Sequence, residues 1–212
     1  MRNKTGIFCI VLGLLLVLGA VFLAYRNYKE DNAAEESAQQ IMSELAQQIR
    51  ENAELGEELS PEQTMPELQK PIELLTEEDK KMTEVEIDGN LYIGYISIPA
   101  LNKELPVMST WSYPKLKIAP CRYSGSLRGE DLVLMAHNYT SHFTKIPNLE
   151  MGDEVFFVDM DGKTTAYTVV GKDVLDSTAV EVITSGEYDL TLFTCTYGGA
   201  SRYAVYCDMV KE

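Results

Sequence analysis

Residues 6–25 contain no charged side chain and consist almost wholly of Leu, Val, Ile, Phe, Ala and Gly. As a helix, twenty such residues rise about 30 Å, the thickness of a bilayer's hydrocarbon core. A helix apolar on every side has no solvated face to offer, so the run reads as a membrane span. A cleavable signal peptide would have a shorter apolar core and a small-x-small site; Phe22-Leu23-Ala24 is a poor one. Residues 1–29 therefore read as an uncleaved signal anchor. Arg2, Lys4 and the terminal amine precede the span, while Arg26 and Lys29 follow it. That count tips toward a cytoplasmic N-terminus with the body of the chain outside.

The net charge of −15 is uneven: residues 30–84 carry sixteen acidic and four basic side chains. Within 30–56, Ala34, Ala38, Ile41, Met42, Leu45, Ile49 and Ala53 recur at spacings of three and four among Glu and Gln. This predicts a helix with a thin apolar stripe, ended by Gly56 and read as a solvated or weakly self-associating spacer. Pro61, Pro66 and Pro71 then mark an extended acidic linker, with one short helix at 76–82. The expectation for 30–84 is an acidic helical stalk and linker holding the folded part away from the bilayer. No basic patch suggests a nucleic-acid partner.

From residue 85 the pattern changes to short apolar strands separated by turn residues. Residues 92–98, 104–108, 132–136, 154–160, 163–174, 189–196 and 202–207 all read as strands. Asp161-Gly162 is a strong hairpin signal. Seven or eight strands with almost no helix predict a closed or nearly closed antiparallel β-barrel over 85–212.

Four cysteines divide between Cys9 in the apolar run and Cys121, Cys195 and Cys207 beyond it. Three is odd, so one thiol outside the membrane stays free or pairs between molecules, and a disulfide of Cys195 with Cys121 or Cys207 stays open. Cys195 ends the apolar strand Thr191-Leu192-Phe193-Thr194-Cys195, and Arg202 follows a short turn through Gly198 and Gly199. A thiolate is the nucleophilic form and a nearby cation favours it, although a cysteine in an apolar strand is more often a core residue. His137 also ends an apolar strand, either as the acid and base such a thiol needs or as a solvated strand-end residue. His142 reads as a surface histidine. Two histidines and scattered cysteines show no metal-ligand spacing, so no metal or other cofactor is expected.

Taken together, these pieces resemble the sortases, membrane-anchored cysteine transpeptidases of Gram-positive bacteria. The resemblance is carried by Ile93-Gly94-Tyr95-Ile96-Ser97-Ile98-Pro99 with Leu105-Pro106-Val107, and by Leu134-Met135-Ala136-His137-Asn138. Residues 143–149 with Met151-Gly152-Asp153, and Thr191-Leu192-Phe193-Thr194-Cys195 with Arg202-Tyr203, complete it. It implies an eight-stranded sortase-type barrel with catalytic Cys195, His137 and Arg202. Cys195 would attack a Leu-Pro-x-Thr-Gly-like sorting signal on a surface protein, and His137 would shuttle the proton. Arg202 would bind substrate and the oxyanion, assisted by the Thr194 side chain or the Thr196 backbone. The acyl group would pass to an amine of a cell-wall precursor or of another protein.

The departures bear on subclass. Ala136 stands where many sortases have Gly, and the turn to Arg202 is short. The Ala-His-Asn and Thr-Cys-Thr-Tyr stretches lean toward class B-like members, yet 177–189 is short for the helix that class carries. The absence of an Asp-Pro-aromatic lid before residue 85, and of a second apolar span after 209, weighs against class C. Asp173, Asp176, Glu181 and Glu187 lie where some class A members bind calcium, without predicting a site. Two other readings remain: a cysteine endopeptidase in which water outcompetes the amine, and an inactive membrane-tethered binding module.

Overall fold

Residues 190–195 alternate strictly, and the alternation sets the inside and outside of the fold. Leu190 and Leu192 pack into the main core, whereas Phe193 packs on the opposite face of the same strand. The computed structural model describes residues 2–58, 76 and 80–211. Its strands are β1 Val85–Ile87, β2 Asn90–Ile98, β3 Lys103–Met108, β4 Cys121–Ser124, β5 Leu132–Ala136, β6 Glu154–Asp159, β7 Thr164–Asp176, β8 Leu190–Cys195 and β9 Ser201–Met209. β2 through β9 form a ring in the order β2-β3-β4-β5-β8-β9-β7-β6, closed by β6 pairing back on β2, while β1 adds to the outer edge of β2.

The barrel is closed and eight-stranded, but mixed rather than purely antiparallel. β5 runs parallel to β8 and β3 parallel to β4, and the remaining pairings are antiparallel. Both parallel pairs join strands separated by long connections, which is what parallel pairing requires. The Asp161-Gly162 corner closes the β6–β7 hairpin as its sequence predicts. Gly94 has φ +140 at a register shift in β2, and a Cβ there would stand 2.0 Å from the Val158 carbonyl oxygen. Only glycine lets β6 approach β2 closely enough to close the ring.

The N-terminal helix α1 runs unbroken over Arg2–Glu58, so Gly56 lies inside it rather than ending it. Its first part leaves Ile7 to Tyr25 exposed and is long and apolar enough to cross a membrane. Its second part does not behave as a solvated spacer. Ala34, Ala38, Ile41, Leu45 and Ile49 are all buried. Ile41, Leu45 and Ile49 pack with Ile87, Tyr92, Met108, Leu116, Ala119, Cys121 and Met160 on the outer barrel wall. The thin stripe is one seam of a packed helix, and the acidic flanks are its solvated sides. Asn52 Nδ2 donates to the Met160 carbonyl at 2.9 Å, tying this end of the seam to the β6–β7 turn. Most of the linker expected over 57–84 lies outside the described residues. Of the short helix expected at 76–82, residue 76 and residues 80–82 are described, and they show a turn at Lys80, whose N–H donates to the Thr76 carbonyl at 3.2 Å, in place of a helix.

Candidate active site

The ends of β5, β8 and β9, neighbours in the sheet, carry His137, Cys195 and Arg202. In the parallel β5–β8 pair, Ala136 lies opposite Thr194, so the next step along each chain brings His137 level with Cys195. In the antiparallel β8–β9 pair, Cys195 lies directly opposite Arg202. Neighbouring strands are separated by about 4.8 Å, so three backbones stand side by side at one rim. Alternation directs their side chains to one surface. Val133 and Met135 precede His137 on that face, Phe193 precedes Cys195, and Ala204 and Tyr206 follow Arg202. These residues make a small apolar cluster with Tyr123 and Ile183 on the outside of the barrel, leading up to the thiol.

Cys195 is half-buried. His137 is also half-buried, one residue past the β5 ladder, with its ring stacked on Tyr139 at 4.8 Å and 25°. Burial first, and then Lys117, lower its pKa, while Glu30 opposes them. Arg202 Nη1 donates to the Gly199 carbonyl at 3.0 Å and the Ser201 carbonyl at 2.9 Å, folding the guanidinium over its own turn. That turn needs Gly198 and Gly199, both at positive φ. A thiol with an imidazole and a guanidinium on its two flanking strands can perform nucleophilic acyl transfer.

A sequence profile described as the sortase domain matches residues 96–210, more than half of the chain. The chain belongs to the sortase family. Sortase A of Bacillus anthracis is 26% identical over 216 residues, covering 98% of this chain and 97% of that one. Among solved structures, sortase C1 from Streptococcus suis is similar with a TM-score of 0.51 and 28% identity, covering 57% of this chain and 74% of its own. Sortase C from Clostridium perfringens SM101 superposes with a TM-score of 0.52 and 24% identity, covering 89% of this chain and 98% of its own. Membership supports a cysteine transpeptidase in general. The similarities include class A and class C names and do not assign this sortase to a subclass.

Two donors expected at the oxyanion are already engaged in this sortase. Thr194 Oγ1 donates to the Ala136 carbonyl at 2.9 Å, fastening the end of β8 to the end of β5. The Thr196 N–H donates to the Ser201 carbonyl at 3.0 Å, and Thr196 Oγ1 accepts from the Ser201 N–H at 3.1 Å. Both threonines brace the strands that carry the site, because strand-end polar groups bond first to the adjoining backbone.

The spare thiols face away from one another. Cys121 packs beneath α1 on the outer wall and Cys207 packs inside the barrel, and neither forms a disulfide. Burial pushes both thiols up to about 12, far from a reactive thiolate. Asp176 accepts from the Thr178 N–H at 2.9 Å and hydroxyl at 2.6 Å. Among the described residues no three His, Cys, Asp or Glu side chains converge as a metal site would need.

His142 is not a surface residue: it is 1% exposed, and neither ring nitrogen makes a hydrogen bond. Burial pushes its pKa down to about 4, so the ring is neutral near pH 7, with the Ile118 backbone pulling the other way. The loop after β5 bonds to α1 through Tyr139 and Ser141. Sequence reading missed Tyr139, Glu30 and Asp31 around that loop. The one local signal was an aromatic ring two residues after the histidine.

Proposed function

We infer that this sortase is a cysteine transpeptidase acting on a Leu-Pro-x-Thr-Gly-like sorting signal. The observation that carries the reading is the strand register at the rim, with His137 level with Cys195 and Arg202 opposite it. The Cys195 thiolate attacks the Thr–Gly carbonyl carbon, giving a tetrahedral oxyanion for which Arg202, opposite Cys195 on β9, supplies the cationic donor. Collapse breaks the C–N bond, His137 gives its proton to the departing amine, and a thioester remains on Cys195. An incoming amine then loses a proton to His137 and attacks the thioester, and Cys195 leaves as thiolate. The outer apolar cluster beside the thiol suits the Leu-Pro portion of the signal. The anchor helix supports a single-pass enzyme with a cytoplasmic N-terminus and an external barrel. Its acceptor would be an amine of a peptidoglycan precursor or of another surface protein.

The test is a peptide library of Leu-Pro-x-Thr-Gly variants incubated with the full chain, with and without oligoglycine. Transfer predicts a ligated product that grows with amine concentration at the expense of hydrolysis. Hydrolysis alone, unaffected by any amine, supports the endopeptidase reading. No acyl-enzyme with any peptide supports the binding module.

A further inference from the structure

We propose that Glu30 and Asp31, on the turn of α1 just beyond the apolar run, are positioning residues for His137 that tie the geometry of the active site to the anchor helix. The inference rests on the reading of His137 as the proton shuttle. His137 lies past the last ladder pair of β5, so the sheet does not fix its ring. The contacts that do so come from the following loop and from α1. Tyr139 stacks on the His137 ring and donates its hydroxyl to Glu30 Oε2 at 3.3 Å. Two residues on, the Ser141 N–H and hydroxyl both donate to Asp31 Oδ1, at 2.9 and 2.7 Å. The Ser141 carbonyl accepts from Lys103 Nζ on β3 at 3.1 Å, so the residue is held from two sides.

These bonds join residues 109 and 110 positions apart in sequence, so they are tertiary tethers rather than turn geometry. Bonds to a carboxylate are the stronger kind. Ser141 is 4% exposed, which keeps water from competing. Glu30 and Asp31 lie five and six residues past Tyr25, so the tether sits about 9 Å beyond the apolar run at 1.5 Å per residue. An enzyme built this way holds its catalytic loop at a fixed height above the bilayer.

Electrostatics runs through the same contacts. Glu30 and Lys117 face His137 with opposite signs, and Arg26 pairs with Glu30 at 3.3 Å. Asp31 and Lys103 face the buried His142, whose neighbour across the Tyr139 ring is His137 itself. Glu30 favours the imidazolium. Removing its charge leaves Lys117 and the freed Arg26 unopposed, which lowers the pH at which His137 titrates.

The chain contains only two histidines, so 13C-histidine labelling of the full chain in nanodiscs gives two resolvable ring signals, assigned with His137→Ala. In a Cys195→Ala background, Glu30→Gln should lower the His137 midpoint by several tenths of a pH unit, while His142 stays neutral. In the active background, Asp31→Ala should reduce kcat about ten-fold with KM within two-fold, because the two carboxylates bond to the loop after His137. Asp31→Asn, which keeps an acceptor at the same place, should recover most of that loss. A His137 midpoint unmoved in Glu30→Gln, or kcat within two-fold of wild type in Asp31→Ala, overturns the proposal. If Asp31→Ala fails to fold, the half-buried Glu30→Gln decides through its titration. The titration also reads the tether if wild type transfers nothing, an outcome that would sink the transpeptidase reading separately.

Discussion

Arg202 is the residue whose role is most exposed to test. Its Nη1 donates to the Gly199 and Ser201 carbonyls, so the turn braces the guanidinium while the backbone stands opposite Cys195. A lysine can supply charge there but not a planar fork of donors. Losing one oxyanion donor costs on the order of 10²–10³ in rate. Arg202→Lys is therefore expected to lose nearly as much kcat/KM as Arg202→Ala, and retention of about half the wild-type value would remove the role. The place of Cys195, at the end of β8 and opposite Arg202, was legible because an alternating apolar strand ended in it and an arginine followed within a hairpin's length. His142 was misread because its surroundings come from distant parts of the chain: Asp31 on α1, Lys103 on β3 and Ile118 all lie near it, and none is a sequence neighbour. The engagement of Thr194 and Thr196 was equally hidden, since a side-chain bond to a neighbouring strand's end follows from register and not from composition.

Seven of the nine strands were readable one by one; the short β1 and β4 were not, and partners were readable only where a turn joined two strands. Asp161-Gly162 announced β6 and β7, whereas nothing local says that β5 and β8, separated by more than fifty residues, run the same way. That parallel pair decides the site, because an antiparallel arrangement would have sent His137 and Cys195 to opposite rims. α1 shows the opposite failure. Its pattern was seen, but a thin stripe between acidic flanks was taken for a solvated spacer when it is a seam fitted to one barrel wall. The two accounts differ measurably at Leu45, which is fully buried. Leu45→Ala should destabilise the solubilised chain by about 2–5 kcal/mol, the usual cost of emptying a packed leucine site. The measurement is the denaturation midpoint, and an unchanged midpoint would return α1 to a free stalk. Cutting the chain at residue 84 would likewise uncover Ile87, Tyr92, Met108 and Ala119 together, so the barrel without α1 should be less stable than the full chain.

At the scale of the whole molecule, one helix carries an apolar run long enough to cross a membrane, covers a barrel wall and neighbours the loop after His137. The barrel presents a single half-buried thiol at its rim, and its other two cysteines are buried on different sides of the wall. That distribution makes the central claim, acyl transfer through Cys195, directly measurable. The full chain is incubated with a Leu-Pro-x-Thr-Gly-like peptide, quenched in acid, and read by intact mass and by peptide mapping. The account predicts a mass increase equal to the acyl fragment ending at Thr, located on Cys195 alone. The adduct should be discharged by added oligoglycine with matching growth of ligated peptide, and should be absent from Cys195→Ala. An adduct on Cys121 or Cys207, or ligated product formed by Cys195→Ala, would contradict it.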